Sequence, residues 1–213
     1  MDGGWQNTFD VFEDTAAAFA RLVSEVPAAA WTMPALGVWS VRDLVGHTSR
    51  AFSTVESYLA APATSVDLGS GVDYLLAALA SHPQAIADRG RQAGQALGDD
   101  PPAAVADLVG RTLATVRAAD PDAAVATPFG GIRVRDYLPT RTFELAVYGL
   151  DLAAALGLPP TCPPAAAQAS LALAGALATR TGRATELLLA ATGRRALPAG
   201  FNLLDVPGPA AGG

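Results

Sequence analysis

Proline and glycine interrupt this chain at intervals of about one helix length, and between the breaks apolar residues recur at three-, four- and seven-residue steps. That spacing constrains the fold more than any other feature, because it repeats one face of an α-helix and differs from the two-residue alternation of a strand. The first segment runs from about Thr8 to Val26, with Phe12, Phe19, Val23 and Val26 on one face, and Pro27 ends it. The connector PAAAWTMPALGVW follows, and its two prolines and one glycine exclude a regular helix. Ser40 and Asp43 have the form of a capping box, with Asp in place of Glu, so a second helix is predicted from Val41 to about Ala60, with His47 two turns in.

After the polar loop PATSVDLGSG, a third helix is predicted over Val72 to Leu97, which Pro83 kinks or divides. The fourth starts after Asp100, with Pro101 in its first turn and Val105, Leu108, Val109, Leu113 and Val116 along its face. FGGIRVRDYLP is the one place expected to hold a short extended piece, because Gly130 and Gly131 disfavour helix and IRV favours strand. The next helix is expected from about Arg135 to Leu156, with Pro139 early in it and a stop at Gly157 before Pro159 and Pro160. Two more follow, over Pro164 to Arg180 and Ala184 to Thr192.

No internal repeat or low-complexity linker divides the chain. The expectation is an all-α fold, four long helices in a bundle with additional C-terminal helices. Residues 1–197 form its one domain, and residues 198–213 form a Gly/Pro-rich tail that frays.

Composition narrows the partners. The 213 residues are 51% apolar and 16% charged, enough for one hydrophobic core. With 14 basic against 20 acidic residues the net charge is −6, and no run of basic residues is long enough to track a phosphate backbone, so no nucleic-acid partner is expected. No apolar run approaches the roughly 20 residues that span a bilayer, and the N-terminus is acidic where a secretory signal is basic. The lone Cys162 makes no disulfide framework or metal motif, which fits a reducing cytoplasm. Every basic residue is arginine and Ala, Gly and Pro abound, as GC-rich bacterial codons favour.

The stretch FELAVYGLDLAAALG, Phe143 to Gly157, carries the polar groups of most interest. At about 100° per residue, Tyr137, Arg141, Glu144, Tyr148 and Asp151 share one stripe bordered by Phe143 and Val147 on one side and Leu145 and Leu152 on the other. Such a stripe is either the solvated side of the helix or one wall of a site. His47 stands at the edge of the apolar arc of its own helix, as a border residue or as a partner to that wall. His82, before Pro83, reads as a surface residue. No nucleophile elbow, Walker loop or dinucleotide turn is present.

The phrase WSVRDLVGHTSR, Trp39 to Arg50, together with RTFELAVYGLDLAAALG, Arg141 to Gly157, resembles the DinB/YfiT-like superfamily. The match is to its actinobacterial branch of mycothiol-dependent maleylpyruvate isomerase-like proteins, and the resemblance covers most of the chain. It implies a four-helix bundle holding a divalent metal, zinc or nickel, at one end, and mycothiol as a thiol cofactor. By motif, His47 matches the first metal ligand and Glu144 the second. Tyr148 falls where the family has histidine in E-x3-H-x2-D, and Asp151 is that final aspartate, which on this stripe would complete a His47, Glu144 and Asp151 set.

The implied activity is isomerisation or thiol transfer on a small molecule. Two alternatives stand beside it. One is a metal-independent isomerase or cyclase in a biosynthetic pathway, with Glu144 or Asp151 as base beside His47 and Tyr148 as donor to an oxyanion. The other is a small-molecule binding protein without turnover. Larger members of the resembled group carry an appended α/β domain, whereas helices and a tail follow Gly157 here, so a homodimer is expected to supply the missing wall.

Overall fold

The computed structural model describes residues 3–80 and 82–205. Helix α1 spans Gly3–Ser24, a 3-10 turn covers Ala28–Ala30, and strands β1 (Pro34–Leu36) and β2 (Trp39–Ser40) pair antiparallel around Gly37. Then follow α2 (Val41–Leu59), α3 (Gly71–Leu79), α4 (Pro83–Ala96), α5 (Pro101–Ala118), the antiparallel pair β3 (Ala124–Thr127) and β4 (Gly130–Arg133), α6 (Val134–Ala155), α7 (Pro164–Arg180) and α8 (Ala184–Ala191).

The fold is all-α. Helices α1, α2, α5 and α6 form the bundle, with α1 and α2 each packed against both α5 and α6. The periodic faces point inward as their spacing requires: Phe12, Val23, Val41, Leu44, Val105 and Val116 are fully buried. Phe52 joins α2 to α1, its ring 6.1 Å from Phe12 and 6.2 Å from Phe19. Full burial of each such side chain contributes about 1.5–3 kcal/mol.

Local chemistry sets the helix starts. The Ser40 side chain accepts from the Asp43 amide, and the Asp43 carboxylate accepts from the Ser40 amide at 3.0 Å, so both halves of the capping box form. Pro83 opens α4 in its first turn, so the segment predicted as one helix is divided rather than merely bent, as a residue without an amide donor is tolerated at a helix start but not within a continuous ladder. His82 then caps α4, its Nδ1 accepting from the Gln84 amide at 3.2 Å. The single extended piece expected at FGGIRV has a partner, β3, and the tryptophan-containing connector forms the small β1–β2 ribbon.

The break lets α4 turn back against α2 at glycines. A Cβ on Gly46 would lie 2.1 Å from the Gly94 nitrogen, and one on Gly94 would lie 2.9 Å from the Arg42 carbonyl oxygen. Only glycine permits backbones this close. Helix α7 packs on α6 and α8 on α7. Of the tail expected to fray over 198–213, residues 206–213 lie outside the described residues. No helix among the described residues is long and apolar enough to cross a membrane.

Candidate functional site

His47, Arg50, Thr54 and Tyr58 follow one another along α2 at steps of three and four, so they share one face. That face, together with α3, α4, the β3–β4 turn and α6, encloses a cavity of about 310 Å³, and Leu204 from the C-terminal segment also lines it. The volume is at the small end for ligand pockets.

The polar stripe of α6 faces inward. Tyr137 is 2% exposed and Arg141 3%, while the Glu144 side chain retains 24%, so the solvated-side reading does not hold. The Arg141 guanidinium lies 4.7 Å from the Tyr137 ring centre and 5.1 Å from that of Tyr74, in cation–π contact with both. Its Nε donates to Thr140 Oγ1 at 3.0 Å and its Nη1 to Glu144 Oε2 at 2.9 Å, whereas Nη2 is buried without a partner in the protein. Burial is the largest influence on Arg141 and opposes its charge, but the Glu144 carboxylate together with Tyr137, Tyr74 and Tyr58 outweighs it and keeps the guanidinium protonated.

His47 is held between two aromatic rings. Its imidazole centre lies 4.3 Å from that of Trp39, inclined at 31°, and 5.0 Å from that of Tyr148, which it meets edge-on at 85°. Trp39 is fixed in turn by an Nε1 hydrogen bond to the Ala87 carbonyl at 3.1 Å and by close approach to Gly90, where a Cβ would come within 2.7 Å of the indole. The His47 Nδ1 is buried and unpartnered. Burial, followed by the charges of Arg50, Arg89 and Arg141, lowers the His47 pKa from 6.5 to about 4, which makes the imidazole neutral at pH 7. The Tyr148 phenol is pushed well above 10 by burial and then by Glu144 and Asp151, and it stays protonated.

Three of the four sequence candidates, His47, Glu144 and Tyr148, therefore meet at one cavity. Asp151 does not line it; this carboxyl is partly buried one turn further along α6, and that burial raises its pKa. Cys162 also lies elsewhere, in a groove between α1 and α6, with its thiol pKa raised by burial.

Sequence reasoning gave no role to Arg50, Arg89, Tyr58, Tyr74 or Phe129, all of which line the cavity. Arg50 carried a signal, since it is one turn from His47. Arg89 and Tyr74 carried none, because α3 and α4 reach the cavity only through the break at Pro83.

A divalent cation does not fit this donor set. Among the described residues no three His, Cys, Asp or Glu side chains come together as a ligand group, so the His47, Glu144 and Asp151 set is not formed. What the cavity offers is one imidazole, one carboxylate already paired with Arg141, and the phenols of Tyr58, Tyr74 and Tyr148, of which Tyr148, beside His47, is held protonated. Three guanidiniums, Arg50, Arg89 and Arg141, line the same space and repel a cation.

The sequence model of the family described as mycothiol maleylpyruvate isomerase N-terminal domain matches residues 12–153. The chain belongs to that family. The family is DinB/YfiT-like, which agrees with the all-α bundle, and the matched span runs from within α1 almost to the end of α6. It includes His47, Arg50, Arg141, Glu144 and Tyr148, whereas α7 and α8 lie beyond it. No curated protein and no solved structure is significantly similar to the chain.

Proposed function

We propose that this family member is a metal-independent isomerase acting on a small carbonyl compound by proton transfer within the α2–α6 cavity. The observation that carries the reading is the neutral His47, fixed between Trp39 and the protonated Tyr148 beside the Arg141–Glu144 pair. A neutral imidazole can accept a proton from a carbon next to a carbonyl and return it to another carbon, so the atoms balance without a co-reactant. Tyr148 then donates a hydrogen bond to the oxyanion that develops on the carbonyl oxygen. Glu144 is assigned to holding Arg141 rather than to taking the proton, because its carboxylate is already engaged.

The test is deuterium uptake from D2O into C3, the carbon next to the keto group, of a panel of small 2-keto acids, followed by proton NMR. Exchange that survives a chelator and disappears in His47→Gln is the expected result. Exchange that the chelator abolishes and zinc restores would overturn it in favour of a metal site. Absence of exchange across the panel would also overturn it and leave a binding protein. A second reading rests on the match to a family named for mycothiol: thiol-dependent transfer, for which added mycothiol is required before any product forms.

A further inference from the structure

Arg50 and Arg89 line two spaces. One is the cavity described above, and the other is a groove of about 620 Å³ between α2, α4 and α5. We propose that this groove is a binding site for a small phosphate monoester, and that its occupancy regulates the cavity through the two arginines that both spaces share. The site itself needs no turnover, whereas its effect on catalysis rests on the isomerase reading.

Helix geometry places Arg50 on the boundary. At about 100° per residue it falls between the face of His47 and Thr54, which lines the cavity, and the face of Ser49 and Ser53, which lines the groove. Arg89 takes the same position from α4, followed along the groove by Gln92. The close contact of Gly46 with Gly94 fixes the spacing of the two helices, so both guanidiniums are held on one partition. Both arginines are half-buried, and neither has an ion pair or a side-chain hydrogen bond among the described residues. The Ser53 hydroxyl and the Gln92 amide are likewise uncommitted.

Charge selects the ligand. Three guanidiniums line the groove against the single carboxylate of Asp107, and Arg111 lies 3.6 Å from Glu56. Arg50 and Arg89 are left as two cations without counter-ions, which matches the charge of about −1.5 to −2 on a phosphate monoester at pH 7. Its three terminal oxygens can meet donors arriving from three helices, which the single plane of a carboxylate cannot do. Ala93, Ala104 and Leu108 complete the wall and leave room for a short carbon chain. After burial, the charges of Arg50 and Arg89 are the next influences on His47, so both already act across the partition. A dianion that draws them outward lowers the positive potential in the cavity, and by reciprocity an anion in the cavity and phosphate in the groove weaken each other.

Isothermal titration of the full chain with inorganic phosphate and with glycerol 3-phosphate, each repeated with acetate present, tests the site. One phosphate per chain is expected, with glycerol 3-phosphate bound at least as tightly and neither displaced by acetate. Arg111→Gln, which alters an exposed side chain of the groove alone, should weaken binding by about fivefold or more. In the deuterium-exchange assay, phosphate should raise KM for the 2-keto acid severalfold at unchanged kcat. Arg111→Gln should exchange as the parent does without phosphate and need about fivefold more phosphate for the same effect. The imidazole NMR signals of His47 should shift as phosphate fills the groove, whether or not exchange occurs.

No phosphate binding at millimolar concentration, displacement by an equal concentration of acetate, or unchanged affinity in Arg111→Gln would each overturn the site. Glycerol 3-phosphate bound more weakly than phosphate would overturn the ester part of it. Phosphate that inhibits Arg111→Gln as strongly as the parent would place the ion in the cavity itself and overturn the proposal, and groove binding that leaves the His47 signals fixed would overturn the regulation. Phosphate binding that depends on Arg111, without any deuterium exchange, breaks the isomerase reading alone, and exchange that phosphate does not touch breaks this one alone.

Discussion

The two sides of α2 differ in kind. Toward α1 and α5 it presents Phe52 and Val55 to a closed apolar core, where Phe12, Phe19 and Val116 fill the space. Toward α4 and α6 it presents His47, Arg50, Thr54 and Tyr58 to a cavity, with two buried polar atoms, His47 Nδ1 and Arg141 Nη2, left unpartnered. One helix thus stabilises the fold with one face and retains unmet electrostatic demand on the other. Stability and the proposed function rest on separable sets of side chains, and substitutions on the two sides should separate them.

The largest expected effect lies in the core. Phe52→Ala removes a ring packed on Phe12 and Phe19 and should lower unfolding free energy by about 3–5 kcal/mol in urea titration. The protein that remains folded should exchange deuterium into 2-keto acids as the parent does, and a matching loss of exchange would join the two sides into one unit.

Next comes the pH response of the cavity side. His47 takes up a proton near pH 6.5 when unfolded but only near pH 4 when folded, so the unfolded chain binds more protons between these values. Stability present above pH 6.5 is therefore lost as pH falls to 4, by on the order of 3 kcal/mol at most. Asp136 and Asp151, whose pKa values burial raises, act in the opposite direction, so the difference between the parent and His47→Gln isolates the histidine. Parallel stability curves for the two proteins would remove the claim that the arginines and burial act on His47.

The seam between α2 and α4 is the hinge of the comparison, since α4 supplies both Arg89 and the Trp39 clamp. Gly94→Ala sets a methyl against the backbone of Arg42 and Asp43 and should destabilise by about 1–3 kcal/mol, read as a lower Tm. An unchanged Tm would mean that the seam yields freely.

Tyr148→His sharpens the cavity side further, because it restores the histidine of the resembled motif while leaving three arginines in place. Elemental analysis of the variant should find no stoichiometric zinc, and one zinc per chain would show that the missing ligand, not the charge, excludes metal. The smallest effect is assigned to Leu204→Ala, which trims one apolar contact at the cavity and should change stability by less than about 0.5 kcal/mol.

Much of this was legible along the chain. The 3.6-residue period at Phe12, Phe19 and Val23, the Ser40–Asp43 cap and the glycine stop at Gly157 are local signals, and each marks an element of the structure. The α6 stripe was legible too, down to the residues on it, but its direction was not, because large apolar residues border it on both sides. The metal expectation followed the motif positions of His47 and Glu144 and gave no weight to charges arriving from elsewhere.

By itself, then, the sequence determined the helices, their ends, the family and the shared face of Arg141, Glu144 and Tyr148, since each depends on residues within a few turns of one another. Only the tertiary structure decided that this face points inward, that Asp151 stays off the cavity, and that the cavity is cationic. The reason is that electrostatic environment is a sum over space. Arg50 stands one turn from His47 on α2, but Arg141 on α6 joins them only through the packing of the bundle, and Arg89 on α4 only after the split at Pro83 and the glycine contacts bring α4 onto α2.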